Sequence, residues 1–97
     1  MDWLELCFKS VAIKHNKMTL FKAVDAITLI KKCYDLNKSV YGVDAFVLNE
    51  PYIQPFMEHN ITSNEKLSYY EQMEHYIKHL EKYLDSEFVF EVVYEGY

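Results

Sequence analysis

The sequence predicts an α+β domain in the order α-α-β-β-α-β, with a small antiparallel sheet of about three strands and helices packed on one face. Three observations carry this reading. Apolar residues recur at helical spacing over residues 2–14, 19–36 and 62–85. A run rich in β-branched and aromatic residues, "VYGVDAFVL" at 40–48, interrupts that period. The closing "SEFVFEVVYEGY" alternates with a period of two, placing Phe88, Phe90, Val92 and Tyr94 on one face and Glu87, Val89, Glu91, Val93 and Glu95 on the other. Stripes of this kind must be buried against one another, and one sheet covered by helices is the simplest layered solution. A chain of 97 residues supplies one domain, 1–97, and not two.

The first helix is expected over 2–14. Asp2 stands as its cap, Glu5 at capping-box spacing, and Trp3, Leu4, Cys7, Phe8 and Val11 form its apolar stripe. The second runs over 19–36 with Thr19 as cap. Its stripe is Leu20, Val24, Ile27, Ile30 and Tyr34, widened by Ala23 and Cys33, and Lys31 and Lys32 suit its negative pole. Between them "HNKM" is short enough to make the two helices antiparallel neighbours. After the strand at 40–48, Asn49-Glu50-Pro51 is turn chemistry, and "YIQPFM" is a second strand that Pro55 confines to an edge or a bulge. Thr62-Ser63-Asn64-Glu65 reads as a capping box opening the third helix, which runs to about residue 85 with Leu67, Tyr70, Met73, Ile77, Leu80 and Leu84 inward.

Composition narrows the function. Nine Tyr, six Phe and one Trp argue against a disordered chain. The net charge is −5 and all ten basic residues are lysine. Without arginine, the residue suited to bidentate phosphate contacts, and with a negative surface, direct nucleic-acid binding is not expected. Cys7 and Cys33 sit in apolar runs and read as buried thiols of a reducing compartment. The opening "MDWLELCFKS" lacks the basic start of a secretory leader, and no stretch reaches membrane-spanning length, so a cytoplasmic location without a membrane partner is expected.

Catalytic and metal chemistry find no foothold. His75 and His79 stand at i and i+4 with Glu71 one turn earlier, but the glutamate that follows the first histidine in metalloprotease helices is missing, and Glu74, Lys78, Glu81 and Lys82 describe a solvated face. Two glycines leave no room for a phosphate-cradling loop, and no serine occupies a nucleophile elbow. No enzyme activity, metal or cofactor is therefore expected. Tyr69, Tyr76 and Tyr83 recur every seven residues, as rings lying over the rim of the core or as part of a binding face. Glu87, Glu91 and Glu95 repeat about every 13 Å along the last strand. They read either as charges that block edge-to-edge pairing or as a ridge that meets a basic partner. The segment 49–63, "NEPYIQPFMEHNITS", joins turn residues to large side chains and is the most binding-like loop.

Gly42-Val43-Asp44-Ala45-Phe46, Ile53-Gln54-Pro55 and Glu58-His59, within residues 41–63, resemble the central segment of small bacterial immunity proteins of contact-dependent inhibition and related polymorphic toxin systems. The resemblance covers about a quarter of the chain. It implies one-to-one binding of a cognate toxin domain, often a basic nuclease, by covering its active site or substrate groove, and it carries over no catalytic residues. The contacts expected from charge and exposure are Asp44, Glu50, Tyr52, Gln54, Glu58, His59, Glu91, Tyr94 and Glu95. Carboxylates would meet toxin Lys and Arg, with Tyr52 and Tyr94 as apolar anchors. Another acidic interaction module, such as an adaptor, a small regulator or a phage-encoded inhibitor, fits the same composition.

Overall fold

A computed structural model describes residues 3–96, apart from the side chains of Trp3 and Glu5. The elements run α1 (Trp3–Cys7), β1 (Ile13–His15), β2 (Met18–Lys22), α2 (Ala23–Asp35), β3 (Val40–Asn49), β4 (Tyr52–Pro55), a 3-10 turn (Met57–His59), β5 (Ile61–Thr62), α3 (Tyr69–Glu81) and β6 (Phe88–Tyr94). Six strands form one antiparallel sheet in the order β1-β2-β6-β3-β4, and β5 pairs with the opening residues of β3. This corrects the expected α-α-β-β-α-β order and the sheet of about three strands.

The correction begins where two helices were expected to meet. Within "HNKM", Asn16-Lys17 is the two-residue turn of a hairpin that pairs Ile13 with Leu20, Lys14 with Thr19 and His15 with Met18. Asn16 takes φ 54°, a left-handed conformation that Asn tolerates better than most residues. Thr19 therefore caps nothing: its hydroxyl accepts a 2.7 Å hydrogen bond from Lys14 Nζ across the hairpin. Thr19, Leu20 and Phe21 are consecutive and all buried, which a strand enclosed on both faces achieves and a one-sided helix does not. The first helix stops at Cys7, which is exposed rather than buried. The proposed Asp2 cap and the side chains of Trp3 and Glu5 lie outside the described residues.

The second helix starts four residues late, so its buried stripe is rotated: Ala23, Ala26, Leu29, Ile30, Cys33 and Tyr34 face inward while Val24 is exposed. Its end is a Schellman closure. Asn37 is left-handed (φ 57°) and donates to the Tyr34 carbonyl at 3.1 Å, and the Lys38 N–H donates to the Cys33 carbonyl at 2.8 Å. That closure turns the chain directly into β3.

Helix α3 opens later than expected. Two S/T-x-x-E signatures precede it, and the second is used: the Glu71 N–H donates to Ser68 Oγ and the Ser68 N–H to Glu71 Oε1. Thr62 is unavailable as a cap because Ile61 and Thr62 pair with Val43 and Gly42 of β3. The terminal strand is a strand as expected, but it lies in the middle of the sheet, between β2 and β3. Phe90, Val92 and Tyr94 join Phe21, Val40, Val43 and Ala45 in one core with Leu29, Ile30, Cys33 and Tyr34 of α2 and Tyr76 and Leu80 of α3. On the opposite face Leu20 and Val89 are buried too. No helix among the described residues is long and apolar enough to cross a membrane.

The heptad-spaced tyrosines bind α3 to the rest. Tyr76 is fully buried and its hydroxyl donates to the Val40 carbonyl at 3.0 Å, while Tyr69 donates to the Lys38 carbonyl at 3.1 Å. Burial pushes Tyr76 up to about 12, against the opposing effect of a Ser63 hydrogen bond. Tyr34 is likewise pushed up to about 12, by burial first and then by neighbouring Tyr76, Tyr69 and Cys33.

Because Ser68 rather than Thr62 caps α3, Ser68→Ala is expected to cost about 1 kcal/mol in urea unfolding. Thr62→Ala is expected to stay within about 0.5 kcal/mol. The tyrosines set the alkaline limb of stability. Their folded values lie above the unfolded value near 10, so their contribution is complete below pH 10 and is lost as pH rises toward 12. Unfolding free energy measured from pH 8 to 12 is expected to fall in that window, and less steeply in Tyr76→Phe.

Candidate interaction surface

The segment 49–63 becomes the β3–β4 hairpin end and the 3-10 turn after it. The register pairs Asn49 with Tyr52, Leu48 with Ile53, Val47 with Gln54 and Phe46 with Pro55. β4 is an edge strand of the sheet, which is where Pro55 costs no ladder hydrogen bond. Its turn contains a cis Glu50–Pro51 peptide. Tyr52 and Met57 are among the most exposed large apolar side chains, at 75% and 77%, and the side chains of Glu50 and Glu58 are 71% and 68% exposed. The sequence reading passed over Met57, since a lone methionine in a turn carries no periodic signal.

This exposed rim stands on a pinned base. The Phe56 N–H donates to the Ala45 carbonyl at 2.9 Å, and the Ala45 N–H donates to Asn60 Oδ1 at 2.7 Å, so both ends of the turn are tied to the middle of β3. His59 lies among rings. Its centroid is 4.9 Å from Phe88 and 5.3 Å from Tyr83, both edge-to-face, and 6.4 Å from Phe56. Its Nδ1 is 2.7 Å from the Tyr83 hydroxyl. His79 Nε2 donates to the His59 carbonyl at 2.7 Å, so this histidine is committed to holding the turn on α3.

Charges sit outside that base. Glu58 Oε1 lies 3.9 Å from His59 Nε2, and Glu50 Oε2 lies 4.0 Å from Nδ1 of buried His15. The second contact brings the β1–β2 hairpin against the β3–β4 turn across the curled sheet. Such long, exposed pairs add little stability. They leave both carboxylates in solvent, able to meet an external cation. Glu58, His59 and Tyr83 form a chain of polar atoms, but neither of the two described cavities is lined by any of them. The arrangement holds a surface loop in place.

The expected contact residues do not form one patch. Glu50, Tyr52 and Gln54 lie on the β3–β4 hairpin, whereas Glu58 and His59 lie on the 3-10 turn beside the middle of β3. Asp44 and Glu91 are cross-strand partners in the middle of the sheet, both half-buried, on the face away from α2 and α3. Gln54 pairs with Val47 on the face opposite Asp44, so even the neighbouring strands present their polar groups in different directions. Glu95 is exposed but lies at the other end of β3, where its Oε1 accepts from the Ser39 N–H at 3.2 Å. Tyr94 is 4% exposed and belongs to the core, which removes it as an apolar anchor. The acidic row of the last strand is corrected in the same way. Glu87 and Glu95 flank β6, Glu91 is half-buried within it, and a central strand has no free edge to guard.

The His59–Tyr83 contact generates a local prediction. Tyr83→Phe keeps the ring and removes the hydroxyl, so it is expected to cost about 1 kcal/mol. Hydrogen exchange of the His59 and Asn60 amides, which close the 3-10 turn onto Phe56 and Met57, is expected to accelerate more than that of β6.

Comparison of the chain with protein-family models, with curated proteins and with solved structures finds no match.

Proposed function

We propose that this chain is a cytoplasmic immunity protein that binds a basic toxin domain, one to one, through the β3–β4 end and the 3-10 turn. In this reading it blocks the toxin's active site or substrate groove and catalyses nothing itself. The observation that carries the reading is the pairing of exposed apolar and acidic side chains on fixed segments: Tyr52 with Glu50 at the hairpin, and Met57 with Glu58 on the 3-10 turn. Tyr and Met are enriched at interfaces, and a ring on a pre-ordered loop pays little conformational entropy on binding. The two carboxylates would take the place of substrate phosphates against toxin Lys and Arg. With a chain charge of −5, attraction of a cationic domain would raise the association rate more than the lifetime of the complex.

The test is calorimetric titration of the purified protein into the toxin-like domain encoded beside it, with that domain's nuclease activity followed in parallel. Nanomolar one-to-one binding with loss of activity is expected, and absence of binding at low and moderate salt would end the reading. Glu50→Lys with Glu58→Lys is expected to slow association at least tenfold at low salt while the melting temperature holds, because exposed charges contribute little to stability. Glu95→Lys is expected to change the association rate much less. β3 spans ten residues, so at a strand rise near 3.3 Å Glu95, held at Ser39, sits about 30 Å from the hairpin tip and about 20 Å from the 3-10 turn at Ala45.

A further inference from the structure

The opposite end of β3 carries a cavity of about 320 Å³ lined by Tyr34, Ser39, Val40, Tyr41, Ser63, Leu67, Tyr69 and Gln72. That volume lies at the lower end of the range for small-ligand sites. Its walls come from four places in the chain: the end of α2, the start of β3, the loop before α3 and the first turns of α3. Each wall is fixed independently. Tyr69 donates to the Lys38 carbonyl. Gln72 is clamped to Asn64, accepting from its N–H at 3.0 Å and donating to its carbonyl. The Schellman closure of α2 sets the position of Tyr34.

Two features point to an occupant. The first is Tyr34, whose side chain is 95% buried by its 5% exposure and whose hydroxyl makes no hydrogen bond among the described residues. No fully enclosed side-chain nitrogen or oxygen lacks a partner among the described residues, so this hydroxyl opens onto the cavity that Tyr34 lines. Its raised value keeps it protonated across the physiological range, able both to donate and to accept. The second feature is Tyr41. The β3–β6 register slips between Val40 and Gly42, so Tyr41 is the extra residue of a bulge, a device that re-aims a side chain. Tyr41 lines the cavity and is nevertheless 53% exposed.

Charge narrows the chemistry. No lining side chain is ionised at neutral pH. The nearby Glu95 carboxylate accepts from the Ser39 N–H, and Lys38 Nζ donates to the Glu95 carbonyl at 3.3 Å. An anion entering the cavity would lose hydration without gaining a cation in its wall.

From this geometry we infer that the cavity is a second binding site, for an uncharged aromatic ring with a hydrogen-bonding edge, stacked on Tyr41 and bonded to the Tyr34 hydroxyl. The ring is either that of a small molecule or a tyrosine side chain of a protein. The site is separate from the hairpin-end surface and does not depend on the toxin-binding reading.

The test is a titration of ¹⁵N-labelled protein followed by amide chemical shifts, with p-cresol as the uncharged probe and benzoate as the charged one. Saturable shifts at Ser39, Tyr41, Ser63 and Gln72 are expected with p-cresol, and at least tenfold weaker binding with benzoate. Tyr34→Phe removes only the hydroxyl and is expected to weaken p-cresol five- to tenfold. Tyr41→Ala, at an exposed position that leaves the core intact, is expected to weaken it comparably. No saturable shift with p-cresol, or an affinity unchanged in both variants, would overturn the inference. N-acetyltyrosinamide separates the sources. Binding as tight as that of p-cresol marks a protein side chain, and exclusion of the amide-bearing probe marks a free small molecule.

Discussion

Three tyrosine hydroxyls spaced seven residues apart, two on α3 and one just past its end, hold this structure in register. Tyr69 reaches Lys38, Tyr76 reaches Val40 and Tyr83 reaches His59. The first two acceptors are carbonyls at the entry to β3, and the third partner is the ring that fixes the 3-10 turn. A helix packed only by leucines could slide or rotate on a sheet at modest cost. One that carries a buried directional bond cannot, because a displaced Tyr76 would leave its hydroxyl and the Val40 carbonyl enclosed without partners. The same stripe thus sets the tyrosine-lined cavity at the start of β3 and the pinned loop beside its middle.

Placing the last strand at the centre of the sheet has consequences for charge. β6 must satisfy β2 on one side and β3 on the other, so Val89, Phe90, Val92 and Tyr94 are all buried and its acids are displaced to the flanks. Glu91 is the exception, held half-buried opposite Asp44. Like charges directly across an antiparallel pair oppose folding in proportion to their proximity. The acidity of this chain is therefore distributed over separate places, and the hairpin and the 3-10 turn combine it with the two most exposed apolar side chains among the described residues, Tyr52 and Met57. That combination, rather than net charge, is what distinguishes a contact surface from a merely soluble one.

The two ends of β3 also differ in kind. The hairpin and the 3-10 turn present exposed acids, the turn over a packed aromatic base, which suits contact with a protein of opposite charge. The cavity end is concave and uncharged, with the Tyr34 hydroxyl open to it, which suits a single inserted ring. A strand of ten residues keeps them far enough apart that each can be altered without touching the other.

Where local chemistry acts alone, the sequence was sufficient. The run at 40–48, the edge strand limited by Pro55, the period-two terminal strand and the separate helix around Tyr76 and Leu80 follow from side-chain shape and spacing. It also located the loop at 49–63 and its acids. It misread residues 8–22, because Phe8, Val11, Leu20 and Val24 satisfy a helical period by coincidence while the decisive signal, a left-handed Asn16, is a weak one without glycine beside it. Between two equivalent capping boxes only the pairing of Thr62 with β3 selects Ser68. Glu91 looked like a surface residue because alternation describes a strand's two faces and says nothing of its neighbours, whereas the same alternation puts Tyr94 on the apolar face that the structure buries. Composition and period marked many of the buried residues but also put Val11, Val24, Tyr70 and Leu84, which are exposed, on inward stripes; the tertiary structure alone decided which strand is central, since that depends on hydrogen-bond partners distant in the chain.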